Sequence, residues 1–139
     1  MRFRLMLMPL SGLFLAASAP HEAQTGLIVR MGETWFFHVE NGQPADARLA
    51  GKDDKARPGE LIVSLDLDRG SVLEITNSNA AWYDYRAFIV AKPGHKGNRI
   101  GTCTLMGGGR AAHERWPDPI PAIRLADFRE APVGQVQCR

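Results

Sequence analysis

The sequence has no long helical pattern, internal repeat, heptad or low-complexity tract. Its apolar residues do not recur at the three- and four-residue spacing of an amphipathic helix, which argues against helical bundles and coiled coils. No apolar run reaches the roughly 18 residues that a membrane-spanning helix needs. We therefore expect a fold built from strands, and no transmembrane anchor in the mature chain.

The sequence also lacks the motifs of common catalytic and cofactor sites. Its four histidines include no pair at a His-x-x-x-His spacing, so we predict no metal site. The Gly-x-Ser-x-Gly turn of hydrolases and the Gly-Lys-Ser/Thr end of a phosphate-binding loop do not occur. These absences predict no cofactor and favour a function without catalysis.

Cysteine is scarce, with Cys103 and Cys138 as the two representatives. An even number of cysteines in an exported chain favours a disulfide, so we predict that these two are joined. In the chain-entropy model such a bond stabilises a domain by about 4 kcal/mol. The alternative is a pair of free thiols, one of them a nucleophile.

The start of the chain has the order of features that is typical of a secretory signal peptide. Two arginines precede a short apolar run, and the small residues at positions 17–19 follow it. We predict a signal peptide over residues 1–19, with cleavage between residues 18 and 24. The mature chain would then be exported to the periplasm or the extracellular space. A buried N-terminal helix is the alternative.

The net charge of the chain depends on this leader. The full sequence has 17 lysines and arginines against 15 aspartates and glutamates. Loss of Arg2 and Arg4 with the signal peptide leaves a formally neutral mature chain. A neutral chain gives no support for a nucleic-acid partner or an anionic membrane surface. Residues 20–139 have the length of a single domain.

The longest alternation of apolar and polar residues runs from Leu61 to Ala91. Successive side chains of a strand point to opposite faces, so this alternation indicates half-buried strands. We predict a three-strand meander here, with Leu73 and Tyr85 in one core.

Shorter strand patterns surround the meander. Residues 25–31 and 34–40 predict a hairpin, and weaker strands are expected over residues 45–50, 100–106 and 121–130. About seven or eight short strands at regular intervals predict a single antiparallel β-sandwich with one disulfide. It resembles immunoglobulin-like domains in general shape only, because their Cys-Trp-Cys arrangement is missing. A partly closed barrel is the alternative.

The stretch from Gly107 to Pro121 is the longest irregular part of the sequence, with glycines at its start and prolines at its end. A long loop on a rigid sheet is a usual place for recognition. Trp116 would lie there as an exposed anchor, or would fold over the sheet edge as a lid. The candidate binding residues are Arg110, His113, Glu114, Arg115, Trp116 and Asp118.

These features favour a non-catalytic binding or structural role in the cell envelope. The partner would be an unknown protein or small molecule. One alternative is a small hydrolase-like enzyme that uses His113, Glu114 and Asp118 on the 107–121 loop. Another is a redox or metal-handling protein that uses Cys103 and Met106 together with His113.

Overall fold

The computed structural model describes residues 25–139, and the predicted signal peptide lies outside them. Within this range the chain forms nine strands and no helix, so no helix of the described chain could cross a membrane. The strands are β1 (Leu27–Arg30), β2 (Thr34–Glu40), β3 (Gln43–Leu49), β4 (Leu61–Leu67), β5 (Ser71–Asn77), β6 (Trp82–Ile89), β7 (Asn98–Ile100), β8 (Arg110–Trp116) and β9 (Ala122–Ala131).

The nine strands form two antiparallel sheets. The four-stranded sheet has the order β1-β9-β6-β7, and the five-stranded sheet has the order β3-β2-β4-β5-β8. The two sheets enclose a common core, which confirms the predicted all-β sandwich-like arrangement. The predicted disulfide between Cys103 and Cys138 is also present.

The hydrophobic core lies between the sheets and is centred on Phe128 of β9. The Phe128 ring lies 5.6 Å from the ring of Phe37 in the five-stranded sheet and 5.6 Å from Tyr85 in its own sheet. Leu73 and Tyr85 belong to the same buried cluster, so that prediction is confirmed. Full burial of a large apolar side chain stabilises a fold by roughly 1.5–3 kcal/mol, so this core is the main source of stability.

Two predicted strand pairings are wrong. Strands β4 and β5 form the predicted hairpin, but β6 crosses to the other sheet and pairs with β7 and β9. Strands β1 and β2 do not pair either, because β1 pairs with β9 and β2 pairs with β3 and β4. A hairpin and a crossover between sheets have the same sequence pattern, because each consists of two strands of alternating apolar and polar residues around a turn.

The prediction of an irregular loop from Gly107 to Pro121 is also wrong. Seven of its residues form β8, which pairs with β5 along its whole length. The structure therefore has nine strands, where the sequence predicts seven or eight. Its end approaches the β4–β5 turn closely, since a Cβ atom on Gly70 would lie 2.1 Å from the carbonyl oxygen of Trp116. Glycine at that turn therefore allows β8 to complete the five-stranded sheet.

The predicted strand over 100–106 is interrupted. Strand β7 ends at Ile100, and the chain then forms single bridges from Cys103 to Cys138 and from Leu105 to Tyr83. Thr102 exchanges backbone hydrogen bonds of 2.9 Å with Arg139. The C-terminal tail therefore extends the four-stranded sheet beyond β7, and the disulfide holds it there.

Candidate functional site

The six predicted binding residues lie on and just after β8, and they do not converge on one site. His113 and Arg115 are exposed on the outer face of the strand. Glu114 and Trp116 alternate with them and are half-buried on the inner side. Arg110 begins the strand, and Asp118 follows its end. The alternation of side chains along β8 separates the residues that the sequence places together.

The outward charges of β8 are matched by acids on the neighbouring strand and its turn. Nε2 of His113 lies 2.7 Å from a carboxylate oxygen of Glu74, its direct cross-strand neighbour. A guanidinium nitrogen of Arg115 lies 3.2 Å from a carboxylate oxygen of Asp68. Opposite charges in such positions stabilise a sheet modestly, so this surface has an ordinary structural explanation.

The inward residues of β8 belong to the packing between the sheets. Trp116 packs against the hydrophobic core. Burial disfavours the charged form of Glu114 and raises the pKa of its carboxyl group, while a hydrogen bond from the backbone N–H of Cys103 opposes this shift. His113 and Glu114 therefore occupy opposite faces of one strand, which does not suit a shared hydrolytic site.

The redox and metal alternatives also lose their residues in the structure. Cys103 is bonded to Cys138 and is not a free thiol. Across residues 25–139, no group of three or more histidine, cysteine, aspartate or glutamate side chains could hold a metal ion. Met106 instead lies 3.6 Å, sulfur to nitrogen, from the guanidinium of Arg110.

A second surface, on the outside of the four-stranded sheet, has a more distinctive composition. It is a shallow depression of about 80 Å³ beside the disulfide. Four arginines line it, and we call them the arginine cluster: Arg86, Arg99, Arg129 and Arg139. Asp84 and Asp127 line it as well, together with the backbone or side chains of Tyr85, Thr102, Cys103 and Gln137.

The alternation of the strands brings the cluster together. Tyr85 and Ala87 are buried in the core, so Arg86 between them points outward from β6. Phe128 is buried and Arg129, next along β9, is exposed. Arg99 is exposed on β7, on the other side of β6. Arg139 is added by the tail that the disulfide holds in place.

A bulge in β9 positions the acidic side of the depression. Between Arg86 and Asp84 on β6 the pairing with β9 shifts register, and Asp127 at the shift has a positive φ of 54°. Aspartate tolerates this conformation better than most residues, and such bulges re-aim side chains. One carboxylate oxygen of Asp127 accepts a hydrogen bond of 2.8 Å from the side chain of Gln43, and the other lies 3.3 Å from Arg86.

The arginines of the cluster differ in their partners. Arg86 is paired with Asp127, and Arg139 lies 3.9 Å from Asp84. Asp84 also accepts a hydrogen bond of 2.6 Å from the hydroxyl of Thr104. Within residues 25–139, the side chains of Arg99 and Arg129 make no ion pair and no hydrogen bond, although Asp84 is the direct cross-strand neighbour of Arg129. Their guanidinium donors are therefore available to a ligand.

A fifth arginine on this face, Arg124, has a structural role instead. Its guanidinium carbon lies 4.0 Å from the centre of the Phe88 ring, and its nitrogens donate hydrogen bonds to the carbonyl oxygens of Lys96 and Thr25. Burial disfavours its charged form and lowers its pKa. Arg124 therefore holds the β6–β7 turn and the start of the described chain.

Sequence reasoning missed the arginine cluster because its members are far apart in the chain. Arg86 and Arg139 are separated by 53 positions and meet through strand pairing and the disulfide. A signal was present in the alternation, since Arg86 and Arg129 each follow a core aromatic residue. Mapping both faces of each predicted strand would have shown arginines pointing outward.

A scan against models of protein families, a search of curated proteins and a search of solved structures each found no match to this chain. No relative therefore supplies a residue role or a ligand. The functional interpretation rests on the charge, exposure and contacts of the arginine cluster.

Proposed function

We propose that this protein is a small exported binding protein without catalytic activity. It uses the arginine cluster to recognise a negatively charged partner in the cell envelope. The observation that carries the proposal is that Arg99 and Arg129 line one depression on rigid strands and are unpaired in the described chain. Arginine is well suited to such recognition because its planar fork donates several hydrogen bonds in fixed directions.

Export is supported by two independent features. The leader sequence has the charge, apolar run and small-residue end of a signal peptide. The disulfide between Cys103 and Cys138 is of the kind that persists in oxidising compartments such as the periplasm. Together they favour a partner that is also located in the envelope or outside the cell.

A binding role is favoured over a purely structural one by the charges that are left unmatched. Neighbouring like charges repel one another, so an arrangement that gathers four arginines with two aspartates weakens the free protein slightly. A negative ligand would relieve this repulsion. The positive potential would also steer such a ligand toward the depression, an effect that falls as salt rises.

The β8 surface is a weaker candidate for the same role. His113 and Arg115 are already paired with Glu74 and Asp68, so a ligand would have to compete with an internal acid at each position. Binding through Arg110, His113, Glu114, Arg115, Trp116 and Asp118 stays a prediction. A variant of this surface serves as a matched control for the arginine cluster.

Affinity capture from envelope extract tests the proposal. The immobilised wild-type protein, an Arg99→Gln/Arg129→Gln variant and an Arg110→Gln/Arg115→Gln variant are compared at low and high salt. Both variants remove two exposed positive charges, but from different sheets. We expect the first variant to lose a partner that the second retains, and capture by the wild type to fall with salt. Equal capture by all three proteins would contradict the proposal.

A further inference from the structure

The arginine cluster is suited to a particular class of ligand, and this inference rests on the proposed function. We infer that the cluster holds one tetrahedral oxyanion, namely the phosphate monoester group of a larger ligand. The size of the depression, its charge and the directions of its donors each support this class.

The size of the depression limits the ligand to a single group. Pockets for whole drug-sized ligands have volumes of roughly 300–1,000 Å³. The depression has about 80 Å³, and it opens at the surface of the sheet. It therefore accommodates one small polar group, and the remainder of the ligand lies outside, over the four-stranded sheet.

The charge of the depression suits a group with about two negative charges. Four arginines against two aspartates leave two positive charges in excess. A phosphate monoester carries roughly −1.5 to −2 at neutral pH. Asp84 and Asp127 face the same depression, but both carboxylates already accept from the protein, Asp84 from Thr104 and Asp127 from Gln43. Their repulsion of an incoming anion is reduced by these contacts.

The donors reach the depression from several sides. Arg129 lies on β9 and Arg99 on β7, on opposite sides of β6, and the tail supplies Arg139 and Gln137. The side-chain oxygen of Gln137 accepts from Arg139, which leaves its amide nitrogen as a further donor. A carboxylate presents two oxygens in one plane and is satisfied by a single arginine fork. A tetrahedral oxyanion has oxygens in three directions and matches the spread of these donors better.

The test is a titration of isotope-labelled protein, purified after expression of the full chain, with inorganic phosphate, inorganic sulfate and acetate at low ionic strength. Chemical shifts of the arginine Nε–H groups and of backbone amides near Arg86 and Cys103 are followed by NMR. We expect saturable binding of phosphate and sulfate at the cluster, and binding of acetate at least 10-fold weaker. Arg99→Gln/Arg129→Gln should weaken phosphate binding at least 10-fold, whereas Arg110→Gln/Arg115→Gln should leave it unchanged.

The pH dependence of binding distinguishes a doubly charged phosphate from a tetrahedral anion of fixed charge. A phosphate monoester loses its second negative charge near pH 6, and inorganic phosphate loses it closer to neutral pH, so binding of inorganic phosphate should weaken at least several-fold between pH 7.5 and 5.5. Sulfate keeps its charge in this range and should bind equally at both values. Phosphate binding that is at least as tight as sulfate binding at pH 7.5 and that weakens at pH 5.5 supports a phosphate monoester as the ligand.

Three results would overturn the inference. They are acetate binding as tight as phosphate binding, an equal loss in the two double variants, and no saturable shift at the cluster. Capture from extract that still depends on Arg99 and Arg129 would then show that the proposed function stands and only the ligand class is wrong. Saturable phosphate binding without such capture would overturn the proposed function and leave this site in place.

Discussion

The outer faces of the two sheets both carry charged side chains but arrange them in different ways. On the five-stranded sheet, Arg115 pairs with Asp68 of the β4–β5 turn, and His113 contacts Glu74 on the neighbouring strand. On the four-stranded sheet Arg99 and Arg129 have no such partner among the described residues. Arg115 on the first face has an acidic partner, whereas the second face leaves the guanidinium donors of Arg99 and Arg129 for another molecule.

This difference shows the limit of a net charge as a guide to partners. The mature chain that the leader sequence predicts would be formally neutral, because positive charge on one face is offset elsewhere. Charged side chains interact over about 8–10 Å at physiological salt, so the local arrangement decides what a ligand meets. A neutral total therefore does not conflict with a positive site.

Removing the disulfide has the largest expected effect. It would also reduce the difference between the two faces, because the disulfide holds the tail at the arginine cluster. The disulfide joins residues 35 positions apart, and in the chain-entropy model its loss costs about 4 kcal/mol. We expect Cys103→Ser/Cys138→Ser to lower the free energy of unfolding by about that amount in urea denaturation. The variant should also bind phosphate more weakly, since the tail carries Gln137 and Arg139 to the cluster.

Addition of a reducing agent to the wild-type protein is the control, and it should reproduce both effects. A variant that loses stability but binds phosphate as the wild type does would show that the tail is not part of the site. That result would restrict the cluster to Arg86, Arg99 and Arg129.

The second prediction concerns Trp116 and tests whether this side chain of β8 stabilises the fold or binds a partner. It packs against the core and remains half-buried, so Trp116→Ala should cost about 2–3 kcal/mol, somewhat below the cost at a fully buried site. Phosphate binding at the arginine cluster should be unchanged when measured well below the melting temperature. A variant with wild-type stability that fails to capture the partner would instead identify Trp116 as an anchor and favour the β8 surface.

The faces of the strands could be predicted from the sequence because alternation is a local property. Val63 and Leu65 alternate with Ser64 and Asp66 and are fully buried, as the pattern indicates. The pairing of strands could not be predicted in the same way. Whether β6 stays beside β5 or crosses to the other sheet depends on β7 and β9, which lie later in the chain.

Strand β8 was predicted as a loop for a physical reason. Its residues are mostly charged or small, and β-branched residues are absent from it. It becomes a strand because β5 has an open edge whose backbone groups need partners. The candidate site escaped prediction for a related reason, since it forms only where β6, β7, β9 and the tail lie side by side.

The third prediction concerns the Arg48–Glu60 pair, the most buried ion pair on the five-stranded sheet among the described residues. The Arg48 guanidinium donates hydrogen bonds of 3.0 and 2.8 Å to the carboxylate of Glu60, and the backbone N–H of Arg57 donates another of 2.6 Å. These hydrogen bonds, led by those from Arg48, lower the pKa of Glu60 from 4.5 to about 2. Glu60 is thus a charge that the fold itself satisfies, in contrast to Arg99.

A depressed carboxyl pKa stabilises the folded state above its ordinary value and loses that contribution as the pH falls through the folded value. The wild-type protein should therefore melt at a higher temperature than Glu60→Gln at pH 5 to 7, and this gap should shrink as the pH falls from 4.5 toward 2. Arg99→Gln is the control from the other face, and its melting temperature should equal that of the wild type or lie slightly above it throughout. Thermal unfolding followed by circular dichroism measures all three proteins. A difference in melting temperature that stays constant with pH would show that Glu60 acts through packing alone. The contrast between charges that the fold pairs and charges that are available to a ligand would then lose its clearest example.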